Sequence, residues 1–115
     1  MGYECKVYVV DAVDERWADT VAVFDLCKIG EKNLTSYRNL FTKEIGYKIF
    51  IDDYTAVNED CYGAPLKSAS VEDVVAWLTE VVKVYKYRRF RPLLGLLKGF
   101  KKKDWPDLEV VHYGY

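Results

Sequence analysis

The residues richest in possible chemistry are 83–103, KVYKYRRFRPLLGLLKGFKKK, with nine Lys or Arg and no acid. Cations hold phosphates by charge, and aromatic rings offer faces on which nucleobases stack. Here Lys86, Arg88, Arg89, Arg91, Lys98, Lys101, Lys102 and Lys103 are interleaved with Tyr85, Tyr87, Phe90 and Phe100. Arg88, Arg89 and Arg91 cannot all occupy the buried face of one helix, so part of this charge must meet solvent. The segment is a candidate contact for DNA, RNA or a charged partner. Plainer roles compete: docking on the protein's own acidic surface, or an ordinary solvated helix face. PLLGLLKGFKKK is also basic and amphipathic, as membrane-surface helices are, but its leucines are more simply core.

Carboxylates gather in two other places. One group is Asp11, Asp14, Glu15 and Asp19, and the other is Asp52, Asp53, Glu59 and Asp60. Paired acids can hold a divalent metal for phosphodiester cleavage, and Asp52 stands at the end of an apolar run, a common place for such a ligand. A metal-dependent nuclease using Asp52, Asp53 and Asp60 is therefore one reading. Solvated acidic loops are another. A third is an acidic surface offered to a basic channel on a partner. Calcium-loop spacing is absent.

Nucleophilic and acid–base chemistry has little to work with. There is a single histidine, His112, and three cysteines, Cys5, Cys27 and Cys61, none in a CxxC pair. Their scatter is a poor zinc pattern and fits free thiols in a reducing, cytoplasmic setting. No GxSxG, GxGxxG or phosphate-loop motif occurs. No catalytic residue, metal or cofactor is assigned, and a non-enzymatic protein is the better expectation.

The formal net charge of −1 conceals a division. Residues 1–82 hold 15 acids and 8 bases, a net of −7; residues 83–103 carry +9; residues 104–115 carry −3. Such segregation points to a charged partner. Ten tyrosines and three tryptophans suit either an aromatic core or a binding surface, where these residues dominate the energetics. In composition the chain is similar to the small inhibitors that phages and mobile elements direct at host defence nucleases: short, acidic, aromatic-rich and free of catalytic motifs. The likeness is of composition and rests on no shared motif. It implies a binding protein acting on a protein or nucleoprotein, an inhibitor or adaptor of a nucleic-acid-handling machine.

The elements that position these groups follow from periodicity. Residues 3–10 alternate and are rich in Val and Tyr, which predicts a strand. Residues 11–19 read as a polar loop. Residues 20–29 read as a strand with Ala22, Phe24 and Leu26 on one face, broken at Gly30. Residues 33–44 suit a helix capped by Asn33, with Leu34, Tyr37 and Phe41 on one side. A strand over 47–51 ends at Asp52 and Asp53. Residues 54–69 carry turn chemistry and room for a brief hairpin.

The strongest pattern runs over 70–91. Ser70 and Asp73 make a start resembling a capping box. Val71, Val74, Val75, Leu78, Val81, Val82 and Tyr85 then form a continuous helical stripe. Pro92 ends that helix or opens a second one over 93–101, with Leu93, Leu96, Leu97 and Phe100 inward. A last strand covers 108–113.

The order β-β-α-β-α-α-β predicts one α+β domain spanning 1–115. The expected architecture is a two-layer sandwich, a mixed, roughly four-stranded sheet with helices on one face. A chain of 115 residues buries enough surface to fold without metals or disulfides. No apolar run reaches a membrane span, and the first residues form neither a secretory signal nor a myristoylation pattern, so a membrane partner is not expected.

Overall fold

In the computed structural model, residues 5–26, 31–60 and 62–114 are described, with only the backbone at 5, 31–34, 85 and 86. The elements in chain order are β1 (Cys5–Asp11), β2 (Trp17–Asp25), α1 (Glu31–Arg38), β3 (Lys43–Glu44), β4 (Lys48–Phe50), β5 (Ala56–Val57) and β6 (Lys67–Ala69). These are followed by α2 (Val71–Val81), a 3₁₀ helix (Tyr85–Phe90), α3 (Arg91–Gly99) and β7 (Leu108–Gly114). The expected strand residues Tyr3 and Glu4, and Cys27 to Gly30, lie outside the described residues, as does Cys61.

Val7, Tyr8, Val9 and Val10 are all buried, so β1 has apolar partners on both faces. It lies between β2 and β7, antiparallel to each. The sheet continues through β6 and β3 on one side and through β4 and β5 on the other, in the order β3-β6-β7-β1-β2-β4-β5. Among the described residues only the β2–β4 pair is parallel, through Trp17 and Ala18. The mixed α+β class is as expected, but the sheet has seven strands rather than four. The unforeseen strands β3, β5 and β6 are two or three residues long, too short to display a period of two.

The sheet curls until its ends meet. Glu59 bridges Pro65 just beyond β5 and before β6. The Leu66 N–H donates to the Asn58 carbonyl at 2.9 Å, and the Ile45 N–H donates to the Leu66 carbonyl at 3.1 Å. Residues 54–69 thus contain the brief hairpin, turned at Gly63, whose φ of 82° suits glycine. Inside the curl Tyr8, Val10, Ala18, Ile45, Tyr47, Ile49, Leu66 and Val111 form one core. The opposite face packs Val7, Val9, Leu108 and Val110 against Val74, Leu78, Leu93 and Leu97 of the helices. Helices do cover one face. The other face is closed by the curl, which a flat sandwich would have left open.

Two helix boundaries differ from expectation. Ser70 Oγ accepts the Asp73 N–H at 3.1 Å, as its spacing implied. The helix stops at Val81, however, and Val84 is extended (φ −81°, ψ 126°), so 70–91 is not one helix. Pro92 lies in the first turn of α3, where its missing N–H leaves no hydrogen bond unmade. The break lets Tyr87, Phe90, Leu93 and Leu97 turn back onto the core that holds Leu78 and Val81. In α1, Asn33 sits inside the helix rather than at its cap, and Lys43 and Glu44 have left it to pair with β6. Among the described residues, no helix is long and apolar enough to cross a membrane.

Candidate charged interface

Helix α3 sorts its side chains sharply. Leu93, Leu94 and Leu97 are buried, while Arg91, Pro92, Gly95, Lys98 and Gly99 are exposed. Arg91, Gly95 and Lys98 share one side at helical spacing, with the exposed Lys102 continuing in the turn that follows. A rise of ~1.5 Å per residue sets the Arg91 and Lys98 backbones about 10 Å apart along the axis. A Cβ added to Gly95 would meet nothing within 4 Å, so the helix backbone lies open between those two cations.

The strip is anchored at both ends. Before it, Tyr87 and Phe90 are buried and stack at 6.3 Å, and the Arg89 guanidinium lies over the Phe90 ring at 4.8 Å. After it, Phe100 and Trp105 meet edge to face at 5.2 Å. The Asp104 and Trp105 N–H groups both donate to the Lys101 carbonyl at 2.9 Å, which closes the turn bearing Lys101, Lys102 and Lys103. Arg88, Arg89 and these lysines are exposed; the Lys86 side chain lies outside the described residues.

Among the described residues the ion pairs are Arg16–Asp14, Lys43–Glu109 and Lys83–Glu80. Only Lys83 belongs to the basic segment. Arg91, Lys98, Lys101, Lys102 and Lys103 have no carboxylate partner among the described residues.

The expected acidic contacts are placed differently. Asp14, Asp52 and Asp60 each use Oδ1 to build a turn. Asp14 accepts the Arg16 N–H at 2.8 Å. Asp52 accepts from Tyr54 and Thr55 at 2.8 and 2.7 Å. Asp60 accepts from Tyr62 and Ala64 at 2.8 and 3.0 Å. Hydrogen bonds from Tyr54 and Thr55 hold the Asp52 carboxyl below its ordinary range. Glu15, Asp53 and Glu59 are exposed. Asp11 and Asp19 are directly paired across β1 and β2. Burial, then the charges of Asp107 and Asp19, raises the Asp11 pKa. Asp107 was not foreseen; it arrives because the Ala12 N–H donates to its carbonyl at 3.0 Å. No group of three or more His, Cys, Asp or Glu among the described residues is placed to hold a metal, so Asp52, Asp53 and Asp60 are not gathered into one ligand cluster.

A cleft of about 460 Å³ lies elsewhere, lined by Arg38, Phe41, Asp60, Lys67, His112 and Gly114 among others. His112 Nδ1 is 2.9 Å from the Tyr37 hydroxyl. Its ring meets Tyr37 edge to face at 5.3 Å and Phe41 at 5.7 Å. Burial, reinforced by the Arg38 charge, lowers the His112 pKa to about 4, against the opposing pull of Asp60 and the Gly114 backbone. Sequence spacing held no signal for this group, because its members come from α1, the hairpin, β6 and β7. A smaller cleft of about 280 Å³ beside Lys102 is walled by Glu72 and Asp73, which disfavour an anion there.

No family model, curated protein or solved structure matches the chain.

Proposed function

We propose that this chain is a non-enzymatic binding protein that docks on a nucleic acid, or on the nucleic-acid face of a nucleoprotein, through the strip from Arg88 to Lys103. One observation carries the reading: Arg91 and Lys98, exposed and without a carboxylate partner among the described residues, stand on a helix whose opposite face is fixed in the core. The helix backbone that carries them is set before binding, so little backbone order has to be created on contact. Gly95 leaves room between Arg91 and Lys98, so no bulky side chain stands in the way of a phosphate chain that spans them. The odd cysteine count supports a reducing, cytoplasmic setting.

The test is a gel shift with mixed-sequence DNA and RNA at low salt. The Arg88→Glu/Arg89→Glu/Arg91→Glu variant should abolish it. Binding that survives this reversal, or no shift by the unsubstituted chain, removes the reading.

A second reading has its own observation, the juxtaposition of Asp11, Asp19 and Asp107 against their mutual repulsion. It makes the acidic side the contact, inserted into the basic groove of a host nucleic-acid-handling machine as an inhibitor. Capture of such a machine that survives nuclease treatment and is lost with Asp11→Lys/Asp19→Lys supports it. Capture lost only when the cationic strip is reversed supports the first reading instead.

A further inference from the structure

We propose that the cleft beside His112 is a separate binding site for a small organic anion, its phosphate or carboxylate held by Arg38 and Lys67. The two cations come from different elements and line the same cleft. Lys67 is the direct β-ladder partner of His112, and Arg38, in the last turn of α1, is close enough to bear on the imidazole's charge. Both side chains are exposed, line the same cleft and have no carboxylate partner among the described residues. Guanidinium and ammonium groups brought together in this way bind phosphate and carboxylate oxygens through charge-assisted hydrogen bonds.

The rest of the cleft suits the body of such a ligand. The volume, about 460 Å³, lies within the usual range for small-molecule pockets. The His112 ring is fixed through the buried Tyr37 hydroxyl, and with Phe41 it forms an aromatic wall. A flat unsaturated group packs against such a wall. Asp60 is the one carboxylate among the described residues that line the cleft. Its Oδ1 is occupied by the Tyr62 and Ala64 N–H groups, which leaves its other oxygen to accept from a ligand hydroxyl or amine. Among the described lining residues, with the imidazole neutral, two positive charges oppose one negative, a balance that favours an anion.

The experiment is a titration of the isotopically labelled full chain, followed by amide NMR. The probes are inorganic phosphate, phenyl phosphate and benzoate. The two aromatic probes separate phosphate from carboxylate recognition, and inorganic phosphate reports the anion contact alone. Saturable shifts are expected at Lys67, His112 and Gly114. Lys67→Glu or Arg38→Glu should weaken binding at least about tenfold, the loss of one charge-assisted hydrogen bond. The Arg88→Glu/Arg89→Glu/Arg91→Glu variant should bind these probes unchanged, which separates this site from the nucleic-acid reading. Arg38→Gln and Lys67→Gln serve if a reversed charge disturbs the fold. Shifts that never saturate, that map to residues 88–103, or that are indifferent to Lys67 and Arg38 overturn the proposal.

Discussion

The Tyr37 hydroxyl stands 2.9 Å from Nδ1 of His112, joining the last turn of α1 to the terminal strand β7. Tyr37 is fully buried, and its ring packs on Phe41 at 4.9 Å and on Trp77 at 5.3 Å. The Trp77 Nε1–H in turn donates to Ser36 Oγ at 2.9 Å. An aromatic group therefore locks α1 between α2 and the sheet, with the imidazole at its polar end.

This environment makes acid a destabilising agent. Burial and Arg38 lower the folded His112 pKa from 6.5 to about 4, so the unfolded chain binds the proton more readily. The contribution to stability is complete above the unfolded value. It declines as pH falls from 6.5 towards about 4, by at most about 1.4 kcal/mol per pH unit. Urea midpoints should therefore drop between neutral and mildly acidic buffer, and His112→Asn should flatten that dependence. An unchanged slope in the variant would show that other groups govern it.

The Tyr47 hydroxyl donates to Glu109 Oε1 at 2.5 Å, and Lys43 Nζ lies 3.7 Å from Oε2. Burial, aided by this carboxylate, keeps the phenol protonated well above its usual range. Tyr47→Phe leaves a partly buried carboxylate short of a donor, a loss of about 1–3 kcal/mol. Lys43→Ala removes an exposed partner and should cost under ~1 kcal/mol. Urea unfolding of the two variants checks the order; equal losses would contradict it.

Long, periodic elements were legible in the sequence. The Val-rich runs of β1 and β7 were readable as strands, and Leu93 and Leu97 as the inward side of α3, although Leu94 rather than Leu96 joins them in the core. The same logic shows that Arg88, Arg89 and Arg91 cannot all be buried on one helix. Phe41 is a partial case. Helical spacing groups it with Tyr37, and it is buried against Tyr37, although the chain has already left the helix. The curl was not legible, since β3, β5 and β6 are held by non-local partners rather than by pattern. Nor were Asp107 beside Asp11, or Arg38 and Lys67 beside His112, which only sheet register and helix packing bring together.

Strand β2 presents a free edge. Beyond Ala18 no described strand pairs with its outer side, and Val21 and Val23 are 37% and 49% exposed. Such an edge invites pairing with another chain unless it is blunted. Here Val21 is the extra residue of a bulge, opposite the step from Val9 to Val10, and the exposed Asp19 and Asp25 flank it. Asp19→Val/Asp25→Val should raise self-association, seen as larger species at increasing concentration in sedimentation velocity. Sedimentation identical to that of the unsubstituted chain would assign protection to the bulge alone.

Gly95 separates stability from binding on the cationic strip. It is exposed in the interior of α3, with nothing within 4 Å of an added Cβ. Gly95→Ala should therefore stabilise the helix by about 0.5–1 kcal/mol while leaving nucleic-acid affinity unchanged. Gly95→Glu should also fold, but it places a carboxylate between Arg91 and Lys98 and should weaken binding. Lys98→Ala/Lys102→Ala should reduce the slope of log affinity against log salt by about 1.4–1.8, two phosphate contacts at ~0.7–0.9 each. Anisotropy titrations over a salt series measure both effects. Equal affinity of the Gly95→Ala and Gly95→Glu proteins, or an unaltered salt slope, would remove α3 from the contact. It would return the search to the acidic side around Asp11 and Asp19.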